Sequence, residues 1–231
     1  MANIISSDGN AVPTLDFYDS VAAEYESAYG HSAGLLTFIQ KSLSMFKPTS
    51  KILDVGCGTG APVATTMARE GHKITGIDIT PSMIELSRAA VPDGDFEVAD
   101  MLEYEPKEQM DVVLNILSLF SLSRQELEVM AHKWAKWVVA DGFLCIGTIA
   151  ADFCNPAKEF MTEDELSAEG LRFQFMGTTV ELTLMTKEGW RVILERAGFD
   201  VIHTEEHLFV PPPEAKSDNE VQYFIMARKN K

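Results

Sequence analysis

Basic residues are scarce in this chain. Lys and Arg number 19 against 35 Asp and Glu, a formal net charge of −16 over 231 residues. A field of that sign opposes the phosphate contacts on which nucleic-acid binding depends, so no nucleic-acid partner is expected, a local basic patch aside. Cysteine is also rare. Cys57, Cys145 and Cys154 are odd in number and not spaced as metal ligands, and with Cys57 in a turn and Cys145 in an apolar run a reduced, cytoplasmic setting is expected. No apolar run approaches the roughly 18 residues a membrane span needs, so no membrane partner is expected. The first residues lack the basic start and apolar core of a signal peptide, and 1–13, polar with Pro13, read as a mobile leader. What remains is an ordinary globular balance, 46% hydrophobic and 23% charged, enough for a single domain over 1–231.

The most informative stretch is Lys51-Ile52-Leu53-Asp54-Val55-Gly56-Cys57-Gly58-Thr59-Gly60. A β-branched apolar run ends in an acid and then in glycines at alternate positions. Glycine tolerates positive φ and lets a ligand approach the main chain, and a helix starting directly afterwards would aim free N–H groups at the turn. The pattern reads as a ligand cradle at the C-terminal end of a first parallel strand. Dinucleotide sites use Gly-x-Gly-x-x-Gly beside a pyrophosphate. Here the spacing is Gly-x-Gly-x-Gly, and Asp54 would repel a pyrophosphate but suit an ammonium group. A second strand, Lys73 to Asp78, again ends in an acid, about 20 residues beyond the first glycine, where a carboxylate can accept from a ribose diol.

These residues resemble the first motif of class I S-adenosylmethionine-dependent methyltransferases of the small-molecule, ubiquinone/menaquinone type: acid-x-Gly-x-Gly-x-Gly. The resemblance implies a Rossmann-like, doubly wound α/β fold, a seven-stranded mostly parallel sheet closed by a C-terminal antiparallel hairpin, with S-adenosylmethionine as cofactor. It also implies a cofactor site made of Asp54, Gly56, Cys57, Gly58 and Gly60 at the methionine end, and Asp78, Ile79 and Met83 at the ribose. Asp100 and Met101 follow at the adenine, after a strand from Asp95 to Ala99, and Asn115 closes the site at the end of a strand Met110 to Ile116. Cys57 reads as a small turn filler rather than a nucleophile. Alternative readings stay open at two places: Asp78 as a helix cap, a role Thr80 before Pro81 already fills, and Asp100 as a solvated turn acid.

Elsewhere the pattern is helical or extended by turns. Tyr18, Val21, Ala22 and Tyr25 share one face of a helix over Asp16 to Tyr25. They read either as packing or, by resemblance to a Tyr-Asp-x-x-Ala-x-x-Tyr segment, as a lid, so 1–47 is expected to hold a leader and lid helices. A second helix runs from about Gly34 to Phe46, a third from Pro62 to Arg69, and a fourth from Pro81 to Ala90. Ser123 and Glu126 form a capping box for a helix to Ala140, with Leu127, Met130, Trp134 and Trp137 on its core face and His132 off it. A strand Phe143 to Ile149 precedes a stretch, 150–186, expected to be a substrate-covering insertion. It holds a short acidic helix capped by Thr162 and Glu165, and a hairpin around Met176-Gly177-Thr178. Phe153, Phe160, Phe173, Phe175 and Met176 read as a cover or as a satellite core. A last helix, Lys187 to Ala197, leads to strands Phe199 to Val210 and Val221 to Arg228. His203 and His207 share one strand face, without a carboxylate at ligand spacing to make a metal site.

The expected activity is methyl transfer by direct displacement to an S, N or O nucleophile on a small, neutral or cationic acceptor, by a monomer or homodimer. The alternative is a protein that binds the cofactor without transferring methyl, as a pericyclase-like catalyst or an interaction subunit. Histidines common just beyond the fourth strand in related enzymes are replaced by Phe120 and Ser121. Tyr18, Tyr25 and His31 are therefore the candidate catalytic groups.

Overall fold

Short apolar runs closed by turn residues become parallel strands, and the stretches of helical period between them become crossovers. The computed structural model describes residues 3–5, 11–12 and 14–231. In chain order these begin with strands β1 (Asn3–Ile5) and β2 (Ala11–Val12), helices α1 (Thr14–Tyr29) and α2 (Ala33–Leu43), strand β3 (Lys51–Val55) and helix α3 (Val63–Arg69). Then come β4 (Lys73–Asp78), α4 (Pro81–Ala90), β5 (Asp95–Val98), β6 (Met110–Ile116), α5 (Arg124–Trp137) and β7 (Val138–Ile149). The chain closes with β8 (Ser167–Phe175), β9 (Thr178–Met185), α6 (Lys187–Arg196), β10 (Phe199–Phe209) and β11 (Glu220–Lys229).

Seven strands form one sheet in the order β10-β11-β7-β6-β3-β4-β5. β11 runs antiparallel to both β7 and β10, and the other pairings are parallel. This is the doubly wound sheet with a C-terminal antiparallel hairpin that the sequence predicts. The side-chain alternation of β3 and β6 divides the core into two halves. Leu53, Val55 and Val113 face a layer containing Trp134, Trp137, Trp190 and Leu194, whereas Ile52, Val112 and Leu114 face Phe38, Met67 and Ile84. Both faces are covered, as a parallel sheet requires. The chain order reverses between β3 and β6, so the loops after β3, β4 and β6 open together at one edge of the sheet, the usual place for a ligand.

A second, four-stranded sheet, β2-β1-β9-β8, lies over that edge. Here the structure departs from the sequence reading. The leader expected over 1–13 contains two strands, and Asn3–Ile5 pairs antiparallel with Glu181, Val180 and Thr179 of β9. The rest of that leader lies outside the described residues. The hairpin is longer than expected, with Met176 and Gly177 both at positive φ in a two-residue turn, the conformation that matches strand twist. The acidic helix expected at Thr162 does not form. Thr162 bonds instead with Asp164 and Ser167, and Glu165 turns left-handed, a local side-chain competition that defeats the helix. The helix expected to Ala140 stops at Trp137 because Val138, β-branched like its neighbour, already starts β7. The capping box of Ser123 and Glu126 forms as read.

Helix α1 is longer than its expected span and bridges the two sheets. Its Phe17 joins a core of Ile149, Leu171, Val180, Leu182 and Leu184, which ties the cover to the end of β7. Below, Gly189 in α6 sits against the chain that enters β8: a Cβ there would lie 2.0 Å from the Leu166 carbonyl oxygen. That oxygen also accepts from the Thr186 N–H at 2.9 Å, so it has little room to yield. Gly189→Ala is expected to cost about 2–3 kcal/mol, lowering the unfolding midpoint by roughly 5–10 °C. Thermal denaturation checks this. An unchanged midpoint would mean that the α6–cover contact is not tight.

Candidate functional site

The cradle begins where β3 ends. Gly56 and Cys57 both donate their N–H groups to the Ile77 carbonyl of β4, at 2.8 and 2.9 Å, so the turn is hooked onto the neighbouring strand. From the other side, Asn115 Nδ2 and Ser118 Oγ donate to the Val55 carbonyl at 2.8 and 3.0 Å. Gly56 has φ +70°, and a Cβ on it would stand 2.4 Å from the Ser118 side chain. Gly58, at φ +53°, has open space where a Cβ would be, so its main chain borders the cavity directly. The helix that follows begins at Val63, behind Pro62, rather than directly on the turn.

The cavity above this cradle encloses about 1160 Å³, its mouth included. It runs from Asp54 past Asp78, Ile79 and Met83 to Asp100 and Met101. Gly56, Cys57 and Gly58 line it, and Tyr18, Tyr25 and Tyr29 of α1 close it from above. Ten of the eleven expected cofactor residues are thus brought to this one region, with Gly60 just behind its surface and nine lining it. Asn115 is different. It is fully buried below the cavity, where it holds Val55 and Ser118 in place. His31 is exposed and does not line the cavity.

Electrostatically the site is anionic. Asp54 is buried, its Oδ2 has no hydrogen-bond partner among the described residues, and burial with the nearby Asp78 carboxylate pushes it up to about 7. Asp78 accepts from the Gly58 N–H at 3.0 Å and from the Thr80 N–H at 2.9 Å. Burial still raises it, against those two bonds. The expectation that Thr80 caps α4 is corrected here, since its side chain makes no cap bond and Asp78 receives its N–H instead. Asp100 accepts from the Leu102 N–H at 2.9 Å, an acidic turn at the cavity wall. Burial also pushes the Tyr18 phenol up to about 12 and the Tyr25 phenol well above its ordinary value, with Asp78 and Glu220 among the causes, so both stay protonated at neutral pH. The Cys57 thiol is likewise driven far up by burial and the two aspartates, which leaves it inert.

These features fit S-adenosylmethionine. An unpartnered buried carboxylate at the glycine turn suits an ammonium group. Asp78, with each oxygen holding one N–H, keeps lone pairs for a diol. The open space at Gly58 admits a ligand against the main chain.

A second cavity adjoins the first through Tyr18, Tyr29 and Ser121, which line both. Its walls include Phe120, Ile149, Phe173, Phe175, Val180 and Leu182, with Glu220 as a half-buried acid. Of the five residues offered for an apolar cover, Phe173 and Phe175 line this chamber, Met176 packs beside it, and Phe160 is exposed. Phe153 packs on Tyr223 instead. Glu220 was missed by sequence reasoning because nothing local marks it: it enters the site only through the pairing of the last two strands. Outside the linings of both cavities, Glu205 lies between His203 and His207, 2.8 and 3.2 Å from their Nε2 atoms, a carboxylate the spacing argument overlooked. Among the described residues no group of three or more such side chains is arranged to hold a metal.

Residues 52–142 match the family model described as "Methyltransferase domain". A trans-aconitate 2-methyltransferase of Escherichia coli is 41% identical over 69 residues, 29% of this chain and 27% of that protein. The chain thus spans about a quarter of the length of that relative. A phosphoethanolamine N-methyltransferase of Plasmodium falciparum is 26% identical over 204 residues, covering 84% of this chain and 72% of that one. Among solved structures, the N-methyltransferase NodS of Bradyrhizobium japonicum, in complex with S-adenosylhomocysteine, superposes with a TM-score of 0.69. It is 14% identical, over 94% of this chain and 99% of that one. Magnesium protoporphyrin IX methyltransferase from Synechocystis gives 0.67, at 14% identity over 94% and 97% of the two chains. Residues 52–142 are thus similar to a methyltransferase domain, and the sheet topology is the fold of the solved methyltransferases on which the chain superposes.

Proposed function

We propose that the protein transfers a methyl group from S-adenosylmethionine to a small-molecule acceptor. The observation that carries this is the row of three acids, Asp54, Asp78 and Asp100, at the ends of adjoining strands in one cavity. Bound there, the cofactor would supply an electrophilic sulfonium methyl. Asp54 would pair with its ammonium, Asp78 would accept from its ribose, and Asp100 with the Met101 backbone would meet its adenine. Gly56, Cys57, Gly58 and Gly60 would shape the turn beneath the methionine end, Ile79 and Met83 would border the ribose, and Asn115 would hold the floor. Displacement at such a methyl demands alignment above all, which rigid strand ends supply.

Tyr18 and Tyr25 act in this reading as a protonated cover that excludes water and donates hydrogen bonds, not as phenolate bases. His31 has no part in the chemistry. The second cavity is the acceptor chamber, and 150–186 is the insertion that walls it, within a single domain over 1–231. Two small-molecule relatives and an apolar chamber of modest size support a small acceptor rather than a macromolecule. The methyltransferase-domain match supports transfer over cofactor binding alone. Three free cysteines, two of them buried, support a reducing, cytoplasmic location, and among the described residues no helix is long and apolar enough to cross a membrane. A monomer or homodimer is the proposed assembly.

Calorimetry is expected to find micromolar binding of S-adenosylmethionine and none of NAD; the reverse order would sink the reading. Asp78→Ala should weaken cofactor binding by about 1.5–3 kcal/mol, the scale of a hydrogen bond to a charged group. Unchanged affinity would remove Asp78 from the ribose.

Asp54 links the site to pH. Its folded value near 7 lies above the ordinary carboxylate value, so the stability it contributes without ligand is fully present below about pH 4 and lost as pH rises through 7. Cofactor affinity should move the opposite way, rising as the carboxylate ionises. Asp54→Asn is expected to raise the ligand-free unfolding midpoint at pH 8 and to lower cofactor affinity at least tenfold. Denaturation and calorimetry across pH 5–8 test both, and a variant that binds as tightly as the parent at pH 8 would refute the ammonium assignment.

A further inference from the structure

Neither cavity is lined by a Lys, Arg or His among the described residues. The polar groups of the acceptor chamber are acids, an amide and hydroxyls, set among aromatic rings. An acceptor bearing carboxylates or a phosphate would meet no counter-charge there and would stand against Glu220 and Asp218 in a partly desolvated space.

The arrangement around Glu220 is built rather than incidental. Ser32 Oγ donates to Gln222 Oε1 at 2.6 Å and accepts the Leu35 N–H at 3.2 Å. With its oxygen taken, the buried Gln222 turns its amide nitrogen to Glu220 Oε1, 2.8 Å away. That bond fixes the carboxylate and leaves its other oxygen for a ligand. Tyr18, Tyr25 and Tyr29 all feel its charge, and Phe175 packs against all three tyrosines. A carboxylate held among ring faces is the arrangement that recognises a cation: the acid supplies the charge and the rings add cation–π attraction.

Resting on the methyltransferase reading above, we propose that the acceptor is an amine on an apolar body, its nitrogen anchored by Glu220 and its body against Phe120, Phe173 and Phe175. Glu220 serves first as an ion-pair partner for the ammonium. The same oxygen can then take one proton from that nitrogen, which frees the lone pair a methyl acceptor needs. Burial holds the Glu220 carboxyl up near 7, within reach of such an exchange at neutral pH.

The test uses three probes of nearly equal shape, 2-phenylethylamine, 2-phenylethanol and phenylacetate, titrated calorimetrically into the full chain with and without saturating S-adenosylhomocysteine. The amine is expected to bind at least tenfold more tightly than either analogue. Glu220→Gln should cut amine affinity at least tenfold while leaving the alcohol and S-adenosylhomocysteine affinities unchanged. Equal or tighter binding of the alcohol or acid, absence of amine binding, or an amine preference that survives in Glu220→Gln each overturns the proposal. Should that variant not fold, the ranking of the three probes on the parent chain decides. Failure to bind S-adenosylhomocysteine would strike the cofactor reading instead, and the titrations without it would still judge the amine site.

Discussion

A buried carboxylate, Asp54, and a half-buried one, Asp78, lie near each other at the ends of adjoining parallel strands, with no cation among the cavity-lining residues. That is costly in an isolated fold, and most of the site can be understood as a response to it. Asp78 is relieved by two backbone N–H groups, one of which, from Gly58, draws the glycine turn towards β4. Asp54 receives no such relief at Oδ2, and burial beside Asp78 pushes its carboxyl up to about 7. The positive charge that would release it must come from a ligand. The fold therefore keeps an unfavourable electrostatic arrangement of the kind that a cationic ligand would relieve, a familiar way for binding energy to be stored in a scaffold.

The glycine turn is held from both neighbours, and each contact explains a residue. β4 contributes the Ile77 carbonyl, and the end of β6 contributes Asn115 and Ser118. Leu117, left-handed at φ 55°, makes the kink that brings Ser118 back towards Val55. That return is what leaves Gly56 no room for a side chain. The cradle is thus a property of three strands, not of one loop, which accounts for its placement where strand order reverses.

Much of this was legible in the sequence because its causes are local. An apolar run of strand length before an acid and three glycines specifies a strand and a turn almost by itself, and β6 lies over the residues its pattern predicts, Met110–Ile116. Ser123 with Glu126 declares a helix start through bonds three residues long. What was not legible depends on distant partners. Asn3–Ile5 carries no strand signal of its own and becomes one by pairing with β9. Glu220 looks like any surface acid until Gln222 and Ser32 are brought beside it. Thr162 and Glu165 have the spacing of a capping box, yet no run of helical period follows to be capped, and the turn wins.

The pairing of β1 with β9 has a bearing on how the molecule comes into being. Ile4 and Val180 sit opposite each other across the small sheet, although nearly the whole cofactor scaffold lies between them in the chain. During synthesis the strands that make the cradle emerge well before the hairpin that β1 requires. Closing so long a loop is slow compared with forming neighbouring contacts, so the cover is assembled late, on a sheet whose parallel core can already be in place. The part of the molecule proposed to meet the acceptor is joined to the rest by contacts distant in sequence, which leaves it free to diverge while the cradle beneath it stays the same.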